Sequence, residues 1–254
     1  MTMQLVWKEE TSVKTHETDF QYKWKPSGFF RAMETAAVNH TTNLHVNFFD
    51  LDPFNMAWVI SRTKIKFHRF PTSGEKVILH TWPKGIQQKI FFMRDFQFFD
   101  AQGKNLADAT AAWVLIDKKA RKFLPPQALK NKLPENDGRF AMNETLTKIA
   151  PLDGLVEKRV EKPAYSHVDM LGHVNNTCYI DWICDCFSME THASQKLDWL
   201  QINFLHEIKP GDPVAVSAGQ RSGSDSPWVI HGTNLNTNTN AFEAELSWED
   251  QEAA

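Results

Sequence analysis

The segment His167–Trp182 reads His-Val-Asp-Met-Leu-Gly-His-Val-Asn-Asn-Thr-Cys-Tyr-Ile-Asp-Trp, and it predicts a loop that leads into a helix. Gly172 permits a tight turn, and the side chains of Asn175 and Asn176 suit a helix entrance because they accept hydrogen bonds from free backbone N–H groups. Apolar residues then recur at helical spacing, which predicts one buried helix face. The residues on this face are Tyr179, Ile180, Trp182, Ile183 and Phe187.

Two ionisable side chains, Asp169 and His173, stand just before this helix. A helix entrance collects unpaired backbone N–H groups and the positive end of the helix dipole. The N–H groups near Val174 and Asn175 are therefore expected to lie close to a carboxylate and an imidazole. This combination suits attack on a carbonyl group whose oxygen becomes negative. The alternative is structural: Asp169 serves the turn and His173 caps the helix.

The composition describes a globular protein with a large aromatic core. The 254 residues suffice for one large domain or two small ones, and 42% of them are hydrophobic, including 18 Phe and 9 Trp. A net charge of -3 argues against a nucleic-acid-binding protein, which would carry a basic excess. No apolar run is long enough for a membrane span, and the first residues lack the apolar core of a signal peptide, so we expect a cytoplasmic protein.

The three cysteines, Cys178, Cys184 and Cys186, are all expected on the helix after Asn176. The sequence has no Cys-x-x-Cys pair, so it predicts no metal site. In a reducing compartment these cysteines would remain free thiols. Packing on an apolar helix is their expected role, and a nucleophilic cysteine is the alternative.

The first half predicts one helix followed by antiparallel strands. The helix is expected after Pro26-Ser27-Gly28, with Ser27 as its N-cap. Strand-like segments follow at 58–67, 77–82, 89–99 and 106–116. A helix packed on such strands forms an α+β layer structure.

The second half repeats this pattern. Each half contains a strand, a turn and a second strand that carry a Phe, a Gly and a Val in this order, and the two sets stand 137 residues apart. A tryptophan on the last strand recurs as well. The pairs are Phe67 with Phe204, Gly74 with Gly211, Val77 with Val214, and Trp113 with Trp248. Such self-similarity indicates a tandem duplication. We predict an N-terminal domain at 1–124, a linker at 125–151 and a C-terminal domain at 152–254.

The two repeats differ in their polar residues. The second repeat has Asp169 and His173 at its helix entrance, whereas the first has Trp24-Lys25-Pro26-Ser27-Gly28 there. The residue that stands 137 positions before Glu207 is Phe70. One active site per chain is therefore expected, in the second repeat, with the first repeat supplying an apolar wall.

Several longer motifs identify a family resemblance. They are Ala57–Arg62, His80–Gly85, Ala112–Asp117, Asp169–Trp182 and Asn203–Glu207. In this order and spacing they resemble the acyl-ACP thioesterases, double-hotdog enzymes that end fatty-acid synthesis. The resemblance implies tandem hotdog domains of α+β class, each a long central helix wrapped by an antiparallel sheet. It also implies thioester hydrolysis, an acyl carrier protein as partner and no cofactor; a homodimer is left open.

The same resemblance assigns the catalytic residues. The family's Asp, His and strand-borne Glu fall on Asp169, His173 and Glu207, and the position of the plant members' cysteine falls on Ile208. One departure is Leu171, where the family often has Asn, and a leucine can neither hold a water nor orient a carboxylate. Asp169 or Glu207 would accept a proton from water, and His173 would orient the reactants or protonate the leaving sulfur. A covalent acyl-carboxylate intermediate is the alternative.

Two further surfaces are expected from the same reasoning. Met33, Ala36, Ala37 and Trp58 are the candidate wall of the acyl pocket, with an ordinary core as the alternative. The densest basic cluster is Lys118, Lys119, Arg121 and Lys122, which would receive an acidic carrier protein unless it is a solvated hairpin end.

Two other functions share part of this pattern. A hotdog dehydratase or hydratase would act on hydroxyacyl thioesters, but the Asp-x-x-x-His-Val-Asn-Asn segment argues against it. A catalytically reduced protein that binds acyl carriers is suggested by Leu171 alone. A thioester-cleavage assay distinguishes a hydrolase from both.

Overall fold

A computed structural model describes residues 3–136, 138–223 and 226–250. The chain divides into two compact units, Met1–Leu146 and Thr147–Ala254, called here the first and second unit. The outermost residues of the two predicted domains, and position 137 of the predicted linker, lie outside the described residues.

The first unit packs a long helix on an antiparallel sheet with strand order β1-β3-β4-β5-β2, and the short β6 pairs with β5. Its strands are β1 (Trp7–Ser12), β2 (Met56–Phe67), β3 (Lys76–Gln87), β4 (Phe91–Asp100), β5 (Asn105–Asp117) and β6 (Lys122–Phe123), and its helices are α1 (Pro26–Asn43) and α2 (Phe48–Leu51).

Helix α1 begins one residue before the predicted N-cap. Lys25 is the N-cap and Pro26 occupies the first turn, where its missing N–H costs nothing, so Ser27 lies inside the helix and is buried. Gly28 is required by a close approach, because a Cβ there would lie 2.2 Å from the indole nitrogen of Trp24. The buried face of α1 includes Phe29, which packs at 5.2 Å from the ring of Phe67.

The second unit has a sheet of order β8-β11-β10-β9-β7 and shorter helices. Its elements are β7 (Val156–Glu161), α3 (Thr177–Cys184), α4 (Met189–Ser194), β8 (Gln195–Phe204), β9 (Val214–Gln220), β10 (Trp228–Asn234) and β11 (Thr239–Asp250). The central helix α3 has 8 residues against 18 in α1, so the expectation of a long helix in both units was wrong for the second. Phe187 and Cys186, predicted on this helix, follow its end.

The predicted duplication is confirmed by strand register. In β2, Ile60 pairs with Trp113 of β5, and in β8, Leu197 pairs with Trp248 of β11. A register shift adjoins each of these tryptophan pairs. Gly74 and Gly211 have left-handed φ angles of 86° and 85°, so both turns need the same backbone conformation.

The predicted linker 125–151 is largely part of the first unit. A 3-10 turn, Pro126–Ala128, forms near its start. Residues 139–146, called here the strap, lie on the sheet. The Trp82 indole N–H donates to the Arg139 carbonyl at 3.1 Å, the Lys84 ammonium donates to Met142 at 2.7 Å, and Leu146 is buried. The compact unit therefore extends to Leu146 rather than to residue 124.

Among the described residues, the helices fall short of the length and hydropathy needed to cross a membrane.

Candidate active site

A closed turn presents the predicted catalytic groups of the second unit. The Asp169 N–H donates to the His173 carbonyl at 2.9 Å, and the Gly172 N–H donates to the Asp169 carbonyl at 3.0 Å. Gly172 has a φ of 80°, which a side chain would strain. The Asp169 carboxylate also accepts from the Leu171 N–H at 2.8 Å. The turn thus holds Asp169 and uses one of its oxygens.

His173 meets Glu207 at the edge of this turn. Its Nε2 lies 3.6 Å from Glu207 Oε2, and the two side chains are 33% and 45% exposed. The separation is slightly longer than a hydrogen bond, and catalytic contacts of this kind often tighten when substrate binds. The Val174 N–H donates to the Ile208 carbonyl at 2.9 Å, which ties the turn to the residue after Glu207.

Tyr179 on α3 is a buried residue whose hydroxyl is influenced by both carboxylates. Its ring is 4% exposed and stacks on Phe242 at 4.9 Å. Burial raises the pKa of the Tyr179 hydroxyl, and the negative charges of Asp169 and Glu207 raise it further. The buried phenol of Tyr179 is therefore close enough to Asp169 and Glu207 for their charges to act on it. Their roles in catalysis stay predictions.

The predicted oxyanion donors are already occupied. The Val174 N–H bonds to Ile208, and the Asn175 N–H donates to the His167 carbonyl at 2.8 Å. Backbone carbonyls therefore satisfy both N–H groups in this structure, and the role of these groups toward a substrate oxygen stays a prediction. The Thr177 N–H donates to Asn175 Oδ1 at 2.9 Å. At the helix entrance, the Asn176 N–H has no acceptor among the described residues.

Models of two protein domains match nearly the whole chain. The acyl-ACP thioesterase N-terminal domain matches residues 4–127, and the C-terminal domain of the same enzymes matches residues 156–250. The chain belongs to the acyl-ACP thioesterase family.

Individual relatives are distant in sequence. The oleoyl-acyl carrier protein thioesterase 2 of Arabidopsis thaliana is 23% identical over 93% of this chain and 69% of its own length. A palmitoyl-acyl carrier protein thioesterase of Gossypium hirsutum is 26% identical over 80% of this chain, and the match spans about half, 52%, of that relative. The 12:0-ACP thioesterase of Umbellularia californica superposes with a TM-score of 0.84 at 18% identity, covering 98% of this chain and 96% of that one. The tandem hotdog fold is therefore shown.

Within this family fold, the first unit contains a counterpart of the Asp169–His173 turn that the alignment of the two repeats did not reveal. The Asp19 N–H donates to the Lys23 carbonyl at 2.8 Å, and Tyr22, like Gly172, has a left-handed φ angle. Asp19 and Lys23 stand 150 residues before Asp169 and His173. The expected absence of both polar groups from the first unit was therefore wrong: an Asp is present, and Lys replaces His.

This counterpart was missed because the displacement between repeats changes along the chain. It is 150 residues at the turn and 137 residues after the strand, since α1 is longer than α3. A second alignment that started from the Asp-x-x-x-Lys pattern could have found it. Phe70, as predicted, stands where the second unit has Glu207.

Two of the three cysteines, Cys184 and Cys186, are held as neutral thiols. Burial raises the pKa of Cys184 far above its usual range and that of Cys186 to about 12. Cys178 is partly buried, and none of the three cysteines forms a disulfide. Elevated pKa values favour the packing role over a nucleophilic one. Among the described residues, no cluster of three or more His, Cys, Asp or Glu is arranged to hold a metal ion.

The predicted pocket wall is mostly closed core. Met33, Ala36 and Ala37 are buried on α1, whereas Trp58 is half-buried and its indole N–H donates to the Val46 carbonyl at 2.9 Å. A cavity of about 280 Å³ lies elsewhere in the first unit, and none of these four side chains lines it. Its lining is His45, Val46, Asp50, Leu51, Phe54, Met56, Leu129, Lys130 and Asn131.

The predicted basic cluster lies around the β5–β6 hairpin. Lys118 forms an ion pair with Asp52, so part of its charge is neutralised. Lys119, Arg121 and Lys122 are exposed. Three exposed cations at one hairpin are compatible with either carrier docking or an ordinary solvated hairpin end.

Proposed function

We propose that the protein hydrolyses the thioester of acyl-[acyl carrier protein] and releases a free fatty acid, the activity implied by its family. The single observation that carries the proposal is the approach of His173 to Glu207 beside the Asp169 turn. Two carboxylates and an imidazole at a solvent-reachable turn can activate water and protonate a thiolate. The first unit offers Phe70 in place of the second carboxylate, so the chemistry is assigned to the second unit alone.

The reaction needs three proton and charge movements. Glu207 or Asp169 accepts a proton as the water oxygen attacks the acyl carbon, and the carbonyl oxygen becomes negative. We assign the Asn176 N–H to this oxygen, because the helix entrance carries the positive end of the dipole. When the C–S bond breaks, His173 gives a proton to the leaving sulfur.

The acyl carrier protein is the proposed partner, and the exposed cations at 119, 121 and 122 are its proposed contact. An acidic carrier would be steered to such a surface at low ionic strength. The relatives named above act, by their names, on oleoyl, palmitoyl and 12:0 groups. These three acyl groups therefore form the first substrate panel.

The test is release of free thiol from each acyl carrier protein, followed with a thiol-reactive dye. Wild type should release thiol, and Glu207→Gln and His173→Asn should each be slower by about 10²- to 10⁴-fold, the usual contribution of a general acid or base. Replacement of the exposed His206, the neighbour of Glu207, by Asn serves as the matched control and should keep the rate. Absence of thiol release from every acyl group by folded wild type would refute the proposed function.

A further inference from the structure

The cavity in the first unit lies between two segments that are far apart in the sequence. One segment is the connection from α1 to β2, which supplies Val46, Leu51 and Met56, and the other follows the 3-10 turn and supplies Leu129. These four side chains are at most 7% exposed and belong to one apolar cluster. The inner wall of the cavity is therefore a packed apolar surface.

The mouth of the cavity is polar, and contacts cross it. The Asn131 side-chain amide donates to the His45 carbonyl at 2.9 Å, and the Lys130 ammonium lies 4.3 Å from the centre of the Phe54 ring. Phe54 and Lys130 are both exposed, so solvent reaches this ammonium. These contacts tie the two segments together and place a cation at the entrance of an apolar cavity.

Lys130 is a cation without an acidic partner. Within the described part of the chain, no carboxylate lies at ion-pair distance from its ammonium, whose neighbour is an aromatic ring. The two acids of the α1–β2 connection are used elsewhere. Asp52 pairs with Lys118, and Asp50 Oδ2 accepts from the Asn47 N–H at 3.0 Å at the start of α2. An anion that enters the mouth would therefore supply the charge that Lys130 lacks.

We propose that this cavity binds an alkyl carboxylate, with the chain against the apolar wall and the carboxylate at Lys130. The acyl tail of a thioester does not fit this description, because it ends in a methyl group that gains nothing from an ammonium. The volume of about 280 Å³ lies just below the range of about 300–1,000 Å³ typical of small-molecule sites, which favours a short chain over a long one. Binding requires no hydrolysis, so the inference is independent of the proposed function.

The experiment is isothermal titration calorimetry of the full-length protein with hexanoate, octanoate and the uncharged 1-octanol, at neutral pH and low ionic strength. Octanoate should bind about fifteenfold more tightly than hexanoate, because two more CH₂ groups, at about 0.8 kcal/mol each, are buried against the wall. Lys130→Gln should weaken octanoate binding by about threefold to fivefold, the usual range for a solvent-exposed charge pair. The same change should leave 1-octanol binding unaltered, because only the carboxylate uses the charge.

Lys132→Gln is the matched control, because Lys132 is an exposed lysine of the same segment that does not line the cavity. It should leave the Kd of octanoate unchanged. Added salt should weaken octanoate binding to wild type and have little effect on Lys130→Gln. Absence of octanoate binding, an equal Kd for wild type and Lys130→Gln, or an equal loss in Lys132→Gln would each overturn the inference. A protein that binds octanoate through Lys130 but cleaves no thioester would refute the proposed function alone.

Discussion

Asp19 and Asp169 occupy the same turn in two units of one chain. Each Asp accepts a hydrogen bond through Oδ1 from the N–H two residues later, and both bonds measure 2.8 Å. Asp19 does this beside Lys23, where Asp169 has His173, so a structural use of this aspartate exists in the chain itself. The first prediction separates that use from chemistry.

Asp169→Asn keeps a side-chain oxygen for the turn but removes the charge. We expect the hydrolysis rate to fall by about 10²- to 10⁴-fold with unfolding free energy unchanged, since a general base must be ionised. Asp169→Ala should lose, in addition, roughly 1 kcal/mol of stability with the turn hydrogen bond. Asp19→Ala is the control and should lose stability only. A normal rate for Asp169→Asn would make Asp169 a turn residue and no more.

Leu171 stands where the family often has Asn, and its side chain is 54% exposed. Leu171→Asn should be accommodated and should raise kcat by about tenfold, because an amide hydrogen-bonded to a carboxylate or to water is worth more than 1 kcal/mol. Leu171→Ala removes the leucine without adding an amide and should leave kcat unchanged. Equal gains in both variants would attribute the effect to removal of the leucine instead.

Ala37 and Val38 are neighbours on α1 with opposite environments, 5% and 55% exposed. Ala37→Phe should destabilise the protein by about 1–3 kcal/mol, because it forces a ring into a packed core. Val38→Phe should change stability by less than about 0.5 kcal/mol. Chemical denaturation measures both. If Ala37→Phe were fully stable and preferred shorter acyl groups, the originally predicted pocket wall would stand.

Lys119 and Lys122 test the proposed carrier contact. Replacing both with Glu should raise KM for acyl-[acyl carrier protein] at low salt, with kcat and the KM for a small acyl-CoA unchanged, because steering acts on encounter. The effect should fade as salt is added. The same reversal of the exposed Lys8 and Lys104 is the control. Identical KM values for the two double variants would show that the cluster has no role in carrier binding and is an ordinary hairpin surface.

His40 should make stability depend on pH. Its ring is fully buried, Nδ1 lies 3.0 Å from the Arg94 guanidinium and Nε2 lies 2.8 Å from the Gln4 carbonyl, so the neutral ring donates to Gln4 and accepts from Arg94. Burial, with the Arg94 charge second, lowers the pKa of His40 from 6.5 to about 4. Between pH 6.5 and 4, His40 therefore binds a proton in the unfolded chain but not in the folded one. The free energy of unfolding falls as the pH drops through this range.

The measurement is urea unfolding between pH 7 and 5. About 2 kcal/mol of the loss over this interval should come from His40 and be absent in His40→Gln. His80 and His231, whose pKa values burial also lowers, contribute in the same direction and remain in both proteins. Parallel pH curves for the two proteins would show that His40 is not the sensor.

Local sequence patterns predicted the strands and turns well, because these structures depend on the conformational preferences of residues that are close in sequence. The paired glycines at 74 and 211, and the turn at Gly172, follow from backbone conformations that only certain residues adopt easily. The occupied N–H groups of Val174 and Asn175 could not be predicted, because their acceptors, Ile208 and His167, are chosen by the fold. Asp19 was missed because two helices of unequal length shift the repeat.

The strap makes the first repeat depend on chain beyond its last strand. A fragment that ends at residue 124 would lose the Ala141 N–H that donates to Asp95 and the carbonyl of Leu146 that accepts from Arg62. Buried charges without such partners are costly. The first repeat therefore needs the chain as far as Leu146 to keep these contacts. A split of the gene between the two repeats would preserve them only if it fell after that residue. An ancestral single repeat would have needed another cover for the same face.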